Sequence, residues 1–512
     1  MHLIQPQTQS RRAFLRRAGQ LAFTGAALPT AINLAALGEA AAFSAGNDYK
    51  ALVCVFLYGG NDYANTLIPL DATNYAAYQT IRGTTGSEAA NGIALAKAAI
   101  TPMLLTPSMT GGPVSAIGAT GLQYALHPSM TGMRDLFNNG QAAMLLNSGP
   151  LVQPMTKAQY QSKSVASPPK LFSHNDQQSI WQSSSPEGST IGWGGNIGDL
   201  AMSSNSNTLF TCISVTGNAV FLSGDTALSY QVGTGGAVRI DSMGNSLFGF
   251  NNDVISGAIR NLGTGVGRTH VLENEYNKIT KRAVDAETQI SSALASTAPT
   301  NNVFPAPYNN FAADNPLAVQ LRMVARLIAA RSNLGNKRQV FMVSLGGFDL
   351  HDNLLTGHEK NMGRVSSAMK TFYDAMVTLG VGDKVTAFTA SDFGRTLSSN
   401  GDGSDHGWGS HHMVVGGAVN GKAFYGYAPP VSVSSTSAPA DQWHVGQGRL
   451  LPTTGVDQYA ATLAKWFGVN DTELVGTAGQ NYRDAILPYL HNFGGSAGGI
   501  NYARDLGFMK AP

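Results

Sequence analysis

Short apolar runs, each followed by a loop rich in glycine or aspartate, limit the folds open to this 512-residue chain. A continuous apolar run of this kind is typical of a parallel strand that is buried on both faces of its sheet. The runs are Ala51 to Tyr58, Ala142 to Leu146, Val340 to Leu345 and Val385 to Thr389. Segments with helical periodicity alternate with them: Met130 to Asn138, Leu317 to Ala330, Glu359 to Leu379 and Tyr459 to Phe467. This alternation predicts an α/β fold with a doubly wound, mainly parallel sheet.

One interval differs in composition from the rest of the chain. Between residues 183 and 310, tracts rich in Ser, Asn and Gly surround weak strand signals such as Leu209 to Val215, and one charged amphipathic helix lies near His270 to Leu294. We predict that 183–310 is an insertion or cap over the sheet, and that 43–182 and 311–512 form the α/β core. The amphipathic helix is interpreted as a solvated packing element, with a partner-binding helix as the alternative.

The N-terminus has the order of features of a twin-arginine export signal. The segment Ser10 to Arg16 matches the twin-arginine pattern, a mildly apolar stretch follows from Ala18 to Leu37, and Ala40 to Ala42 offers a cleavage site. We therefore predict a signal peptide over 1–42, a periplasmic or secreted location, and the twin-arginine translocase as a partner during export. An ordinary amphipathic N-terminal helix is the alternative.

Charge and hydropathy argue against two classes of partner. The formal net charge is +2 at pH 7, and it is −1 without residues 1–42, which hold four arginines and one glutamate. No basic field remains that would favour nucleic acid. No later segment approaches the roughly 18 uninterrupted apolar residues of a membrane span. We predict neither a nucleic-acid partner nor a stable membrane span.

Polar side chains stand where the predicted strands end, and ligands of doubly wound sheets bind at the carboxyl ends of the strands. These side chains are Asp62, Ser148, Asp349, His351 and Asp392. At positions i and i+2 of an extended chain, Asp349 and His351 would lie on one face and could share a metal ion. The alternative is structural, since aspartates at such ends are often turn or helix-capping residues.

The segment from Thr389 to His412 concentrates potential ligands on backbone rich in glycine and serine. Carboxylate oxygens and imidazole nitrogens bind zinc and hard divalent cations, and the segment offers Asp392, Asp405, His406, His411 and His412. A histidine-rich surface loop is the alternative. In the same segment, Arg395 could hold an anionic substrate group through its planar donors, or it could be the buried partner of a carboxylate.

A further helix-like segment begins at Ser173 and His174. We interpret Ser173 as its N-cap, with a nucleophile beside a histidine as the alternative. No G-x-S-x-G and no HExxH motif occurs in the chain, so no local motif identifies a nucleophile.

Several sequence blocks together resemble one protein family. They are LYGGNDYANTLIPLD (Leu57 to Asp71), LHPSMTGMRDLFNNGQAAMLLNSG (Leu126 to Gly149), SHNDQQSIW (Ser173 to Trp181), GGFDLH (Gly346 to His351), SDFGRT (Ser391 to Thr396), DHGWGSHH (Asp405 to His412) and PTTGVDQYAATLAKWFG (Pro452 to Gly468). In this order they are similar to family 1501 of the bacterial domains of unknown function, twin-arginine-exported proteins of the alkaline phosphatase and sulfatase superfamily. The resemblance spans most of the chain after residue 43, except the predicted cap.

The resemblance implies a three-layer α/β/α sandwich of the alkaline phosphatase type, whose strand ends hold one or two divalent metal ions. It also implies a hydrolase of phosphate or sulfate esters acting on a small anionic ester. The alternative is a non-catalytic periplasmic or envelope protein that uses the same fold for binding or assembly. The metal ligands implied by position are Asp62, Asp349, His351 and Asp392, with His406 or His411 as the final histidine. The catalytic candidates are Ser148, Ser173 and Arg395.

Overall fold

The computed structural model describes residues 43, 46, 48–83, 92–238, 240, 243, 246–247, 250–251, 253–476, 482 and 485–511. The predicted signal peptide over 1–42 lies outside these residues.

A ten-stranded sheet forms the centre of the structure. Its strands are β1 Lys50–Leu57, β2 Ala142–Gly149, β3 Cys212–Ser214, β4 Tyr230–Gly233, β5 Gly236–Ala237, β6 Arg338–Leu345, β7 Val385–Ser391, β8 Ser410–Val415, β9 Ala423–Tyr425 and β10 Thr454–Gly455. The order across the sheet is β9-β2-β8-β7-β1-β6-β3-β4-β5, and β10 pairs with β2 beside β9. Most pairs are parallel, while β8 is antiparallel to β7 and β2, and β5 is antiparallel to β4. The prediction of an α/β fold with a mainly parallel sheet is confirmed.

The α-helices alternate with the strands as the periodicity predicted. They are α1 Tyr63–Thr66, α2 Ala72–Arg82, α3 Lys97–Ile100, α4 Thr131–Asn138, α5 Lys157–Ser162, α6 His174–Ser183, α7 Trp193–Ala201, α8 Asp253–Thr264, α9 Val271–Leu294, α10 Pro316–Ala329, α11 Leu354–Thr378, α12 Val456–Phe467 and α13 Asp471–Val475. Helix α11 begins at Leu354, before the predicted Glu359, and it includes Gly357. A Cβ at Gly357 would lie 2.6 Å from the side chain of Leu350, so the close packing of Leu350 against the helix requires a glycine here.

Short elements complete the described structure. Turns of 3₁₀-helix are Thr101–Met103, Met202–Ser204, Thr208–Phe210, Val220–Leu222, Ala295–Thr297, Tyr308–Asn310, Pro439–Trp443 and Leu490–Asn492. Two-stranded pairs are Leu67–Pro69 with Tyr124–Leu126, Val114–Ser115 with Tyr427–Ala428, Ser246–Leu247 with Phe250–Asn251, and Ser496–Ala497 with Ile500–Asn501. None of the helices in the described part of the chain combines the length and the apolar character needed to cross a membrane.

Helices cover both faces of the sheet, because successive side chains of a strand point to opposite faces. On β1, Val53 and Val55 belong to one buried cluster, which also contains the apolar faces of α10 and α11. Leu52 and Phe56 belong to a second cluster, together with α7 and α12. Both faces of the central strands are therefore buried under helices, which explains their continuous apolar sequence.

Part of the interval predicted as a cap lies in the sheet itself. Strand β3 pairs in parallel with β6, and α7 packs in the cluster on the adjoining face. The weak signal from Leu209 to Val215 contains a 3₁₀ turn followed by the three residues of β3. A short strand at this position carries little periodicity of its own, and its parallel partner is more than a hundred residues away in the sequence.

Burial keeps several histidines of the core uncharged. It lowers the pKa of each of four histidines to about 3: His127, His358, His411 and His412. In an unfolded chain a histidine has a pKa of about 6.5, so the unfolded state binds protons between pH 7 and 5 while the folded state does not. Each of these residues therefore contributes stability that is present above pH 6.5 and is lost as the pH falls.

We expect His358→Gln to flatten the pH dependence of stability. The free energy of unfolding of the wild type should fall by about 2 kcal/mol per buried histidine between pH 7 and 5, and the variant should lose one such contribution. Urea unfolding at several pH values measures this, with His270→Gln as the control because His270 is exposed. Parallel stability curves for wild type and His358→Gln would contradict the assignment.

Candidate metal centre

Two loops at the carboxyl edge of the sheet approach each other through a glycine. Gly59, two residues after the end of β1, has φ +116°, and a Cβ at this position would collide with the backbone nitrogen of Asp349. A side chain at Gly59 would therefore be both strained and obstructed. The Gly-Gly pair after β1 thus lets the loop after β6 lie directly against the loop after β1.

Arg395 joins these loops to the segment after β7. Its guanidinium is fully buried, and it donates hydrogen bonds to Asp349 Oδ1 at 2.5 Å, to the carbonyl oxygen of Gly59 at 3.2 Å and to the carbonyl oxygen of Ser404. The planar fork of donors is satisfied by protein groups from three segments. Of the two interpretations of Arg395, the geometry matches the buried partner of a carboxylate.

Two histidines approach Asp349 and form with it a group of three ligand-type side chains. One atom each of His174, Asp349 and His406 lie within 4.8 Å of one another. The Nε2 atom of His174 is 3.4 Å from Asp349 Oδ2, and that of His406 is 3.3 Å from Asp349 Oδ1. His351 adjoins this group, since its Nε2 atom is 3.0 Å from both Asp349 Oδ1 and His406 Nε2. Two imidazole nitrogens at this distance need a proton or a cation between them.

The outer nitrogen of each of two histidines is held by a partner behind the cluster. His174 Nδ1 is 2.6 Å from Asp392 Oδ2, and the same oxygen accepts a hydrogen bond from Gln178 at 2.8 Å. His406 Nδ1 is 2.8 Å from the carbonyl oxygen of Phe172, so it must carry the proton. These contacts leave the Nε2 atoms facing Asp349, which is the arrangement of metal-binding histidines whose second nitrogen donates to a carboxylate or carbonyl.

The charges of the cluster agree with the same arrangement. The hydrogen bond with Asp392 raises the pKa of His174, while burial lowers the pKa of His406. Burial opposes ionisation of Asp349, but the hydrogen bond and charge of Arg395 together with the neighbouring histidines outweigh it and lower the pKa of this carboxyl. An ionised carboxylate therefore faces a neutral imidazole at His406.

The donor set fits a divalent transition metal ion. Two imidazole nitrogens and one carboxylate oxygen are a ligand set of catalytic zinc sites, which keep a further position open. The Asp349 side chain is 43% exposed, whereas those of Asp392 and Arg395 are 0% exposed. The cluster is thus supported by buried side chains on its inner side and reachable from solvent on its outer side.

Two of the predicted metal ligands lie apart from this cluster. Asp62 is buried and forms an ion pair with Arg82 at 2.5 Å; burial raises the pKa of its carboxyl, although Arg82 acts in the opposite direction. His411 accepts a hydrogen bond from the backbone nitrogen of Asn147 at its Nδ1 atom, and its ring lies edge-on to Tyr63. Arg82 is the last residue of α2, and the sequence around Asp62 does not indicate that this arginine is its partner.

The two predicted serine nucleophiles have structural surroundings. Ser148 is fully buried in β2, where it pairs with Ser410 of β8, and among the described residues its hydroxyl has no hydrogen-bond partner. The Ser173 hydroxyl donates to Asp176 at 2.9 Å. Ser173 occupies the N-cap position of α6 without a capping hydrogen bond from its side chain, and the next residue is His174 of the cluster.

His174 is the cluster residue that the sequence pattern does not mark as a ligand. It belongs to the SHND segment, where the pattern predicts only a helix start with a histidine beside Ser173. Its partner Asp392 is 218 residues away in the sequence. Of the other ligand-type residues of the loop, Asp405 is 3.4 Å from His351, and the ring of His412 packs against Trp181.

A sequence model of the family described as "Protein of unknown function (DUF1501)" matches residues 49–477. The chain belongs to this family. The predicted resemblance is confirmed, and the match includes every residue of the cluster. A search of curated proteins finds no match for the DUF1501 chain.

Two solved structures show distant similarity to this DUF1501 protein. The lipoteichoic acid synthase LtaP from Listeria monocytogenes is 8% identical, with a TM-score of 0.31, over 84% of this chain and 74% of that chain. Ps i-CgsB, solved in complex with k-i-k-neocarrahexaose, is 9% identical, with a TM-score of 0.31, over 87% of this chain and 77% of that chain.

We expect Gly59→Ala to destabilise the protein by about 2 kcal/mol or more, because the new methyl group meets the backbone of Asp349 in addition to the strain of a positive φ. The control is Gly140→Ala, since Gly140 has φ +84° but no atom within 4 Å of the added Cβ. Chemical denaturation of both variants measures the difference. Equal losses of stability would show that the approach of the two loops does not depend on Gly59.

Proposed function

We propose that this protein is an exported, metal-dependent hydrolase of phosphate or sulfate esters with the three-layer architecture of the alkaline phosphatase and sulfatase superfamily. The observation that carries the proposal is the group of His174, Asp349 and His406 at the carboxyl edge of a mainly parallel sheet. Ligands of such sheets bind at this edge. The family blocks that carry the resemblance supply each of these residues.

In this proposal, His174, Asp349 and His406 hold one divalent metal ion, and His351 stands beside them as a further ligand. Such an ion would lower the pKa of a hydroxyl group or water and neutralise an oxyanion. Asp392 and Gln178 act behind His174 by keeping its Nε2 atom directed at Asp349. Asp392 is thus a positioning residue.

The exposed side of the cluster is where a small anionic ester would approach. Arg395 is engaged by Asp349 and by carbonyl oxygens, so its role is to orient the Asp349 carboxylate. Of the two proposed nucleophiles, Ser148 is enclosed in the sheet, whereas Ser173 is the half-buried N-cap residue of α6, next to His174 in the sequence. As a nucleophile, the Ser173 oxygen would pass its proton to Asp176, the carboxylate to which it donates a hydrogen bond.

A second candidate function is non-catalytic binding or assembly in the periplasm or envelope. The observation that favours it is the contact of 2.5 Å between the buried Arg395 guanidinium and Asp349. The guanidinium balances the negative charge of Asp349, as a metal ion would. The Asp349 carboxylate can therefore be explained as one half of a structural ion pair.

We expect the purified wild-type protein to contain about one equivalent of a divalent transition metal ion. His174→Gln and His406→Gln should abolish binding, and Asp392→Asn should weaken it by about 10 to 100-fold, because His174 loses its orientation. Elemental analysis after equilibration with zinc or manganese gives the stoichiometry. His270→Gln is the matched control, since this exposed histidine lies outside the cluster.

Assays of the metal-loaded protein on aryl phosphates and aryl sulfates over a wide pH range separate the two functions. Turnover that disappears in His406→Gln supports the hydrolase. Stoichiometric metal without turnover on any substrate supports the binding protein, and wild-type protein that binds no metal contradicts the site.

Export by the twin-arginine translocase is part of the proposal. Replacing Arg11 and Arg12 together by lysine should retain the protein in the cytoplasm, because the translocase reads the arginine pair. Cell fractionation measures the location. Unchanged export of the double variant, with loss of export on deletion of 1–42, would point to a different export route.

A further inference from the structure

Helix α9, Val271–Leu294, carries an apolar stripe along its length. The residues of the stripe are Leu272, Tyr276, Ile279, Ala283, Ala286, Ile290 and Ala293. Their spacing alternates between four and three residues, which is the heptad pattern of helices that pack lengthwise against another helix. The pattern predicts a partner along the whole stripe.

Only the C-terminal half of the stripe is covered by the protein itself. Ala286 and Ile290 are 1% and 0% exposed and belong to the core cluster that includes α10. On the same face, Leu272, Tyr276 and Ile279 are 74%, 67% and 60% exposed. Folded monomers rarely expose a contiguous set of large apolar side chains of this kind. In its N-terminal half, α9 contacts α8 through buried Asn277 on another face, and the apolar stripe lies in solvent.

We propose that this exposed half of α9 pairs with the same segment of a second copy of the chain in an antiparallel arrangement. A two-fold axis near Asn277 and Lys278 would place Tyr276 of each copy against Ile279 of the other. The same axis would place Leu272 against Ala283. An interface of this type uses one surface patch on both copies, as two-fold symmetric dimers do.

The charges that flank the stripe match the antiparallel arrangement. Glu275 and Arg282 occupy the same flanking position one heptad apart. In the single chain Glu275 pairs with Lys278 at 2.6 Å, and antiparallel pairing adds Arg282 of the other copy to this exposed ion pair, twice in each dimer. Within one helix these residues are about 10 Å apart along the axis, so they cannot pair with each other. Parallel pairing would instead put Glu275 opposite Thr280 and Tyr276 opposite Tyr276.

The length of the exposed segment sets the expected strength. From Val271 to Ala283 the helix is about 20 Å long, and Leu262 of the adjacent α8, 68% exposed, adds apolar surface near it. This is a small interface compared with the roughly 800 Å² per partner of stable complexes. We expect a reversible dimer with a Kd on the order of 10 µM.

Sedimentation equilibrium of the purified folded protein between about 1 and 200 µM tests the proposal. Ile279→Glu should raise the Kd by at least about tenfold by placing a charge in the centre of the interface. The matched control is Val377→Glu, because Val377 is 53% exposed on α11 and far from the stripe in the sequence. Unfolding curves of both variants should resemble the wild type, since both side chains are exposed.

A charge exchange tests the antiparallel arrangement. Arg282→Glu alone should weaken the dimer by about tenfold, and adding Glu275→Arg should return the Kd to within a few-fold of wild type. A wild-type chain that is monomeric throughout this range, or a dimer insensitive to Ile279→Glu, overturns the proposal. A double variant that stays as weak as Arg282→Glu overturns the antiparallel pairing.

Discussion

The buried guanidinium of Arg395 is the contact on which the edge of the sheet depends. It binds Asp349, Gly59 and Ser404, which come from three loops that the strands alone would leave independent. A buried guanidinium is stable only when its N–H groups donate to acceptors of the protein, so the three loops that supply these acceptors must be packed together. Because Arg395 binds Asp349, the same packing of loops also sets the position of the Asp349 carboxylate in the cluster.

A second buried ion pair supports the same edge from the side of β1. Asp62 and Arg82 are both enclosed, and the Arg82 side chain also reaches the carbonyl oxygen of Leu397. Arg82 thus links the loop after β1 to the loop after β7, and Arg395 of the latter loop links it to Asp349. The ligand-type side chains of this edge divide accordingly, with Asp62 used for structure and Asp349 directed to solvent.

The interval between β2 and β6 serves two purposes in the structure. Its first part supplies α7 and β3 to the central layers, while α9 is anchored in the core only by its C-terminal half. The amphipathic pattern near His270 to Leu294 predicts a solvated packing element. The C-terminal half of α9 packs on the core in this way, whereas Leu272 and Ile279 of the same apolar stripe are exposed to solvent.

Local pattern predicted the elements of the fold because burial on both faces requires continuous apolar strands, and β1, β6 and β7 have them. It also placed Asp349, His351 and Asp392 at one edge, since parallel strands end together. The local pattern could not distinguish a metal ligand from a carboxylate that pairs with an arginine, since the contacts of Arg82 with Asp62 and of Arg395 with Asp349 join residues distant in the sequence. By itself the sequence determined the strands, the helices and the edge that carries polar side chains. Only the tertiary structure decided that His174 joins Asp349 while Asp62 and His411 do not, because these contacts depend on which distant loops are packed together.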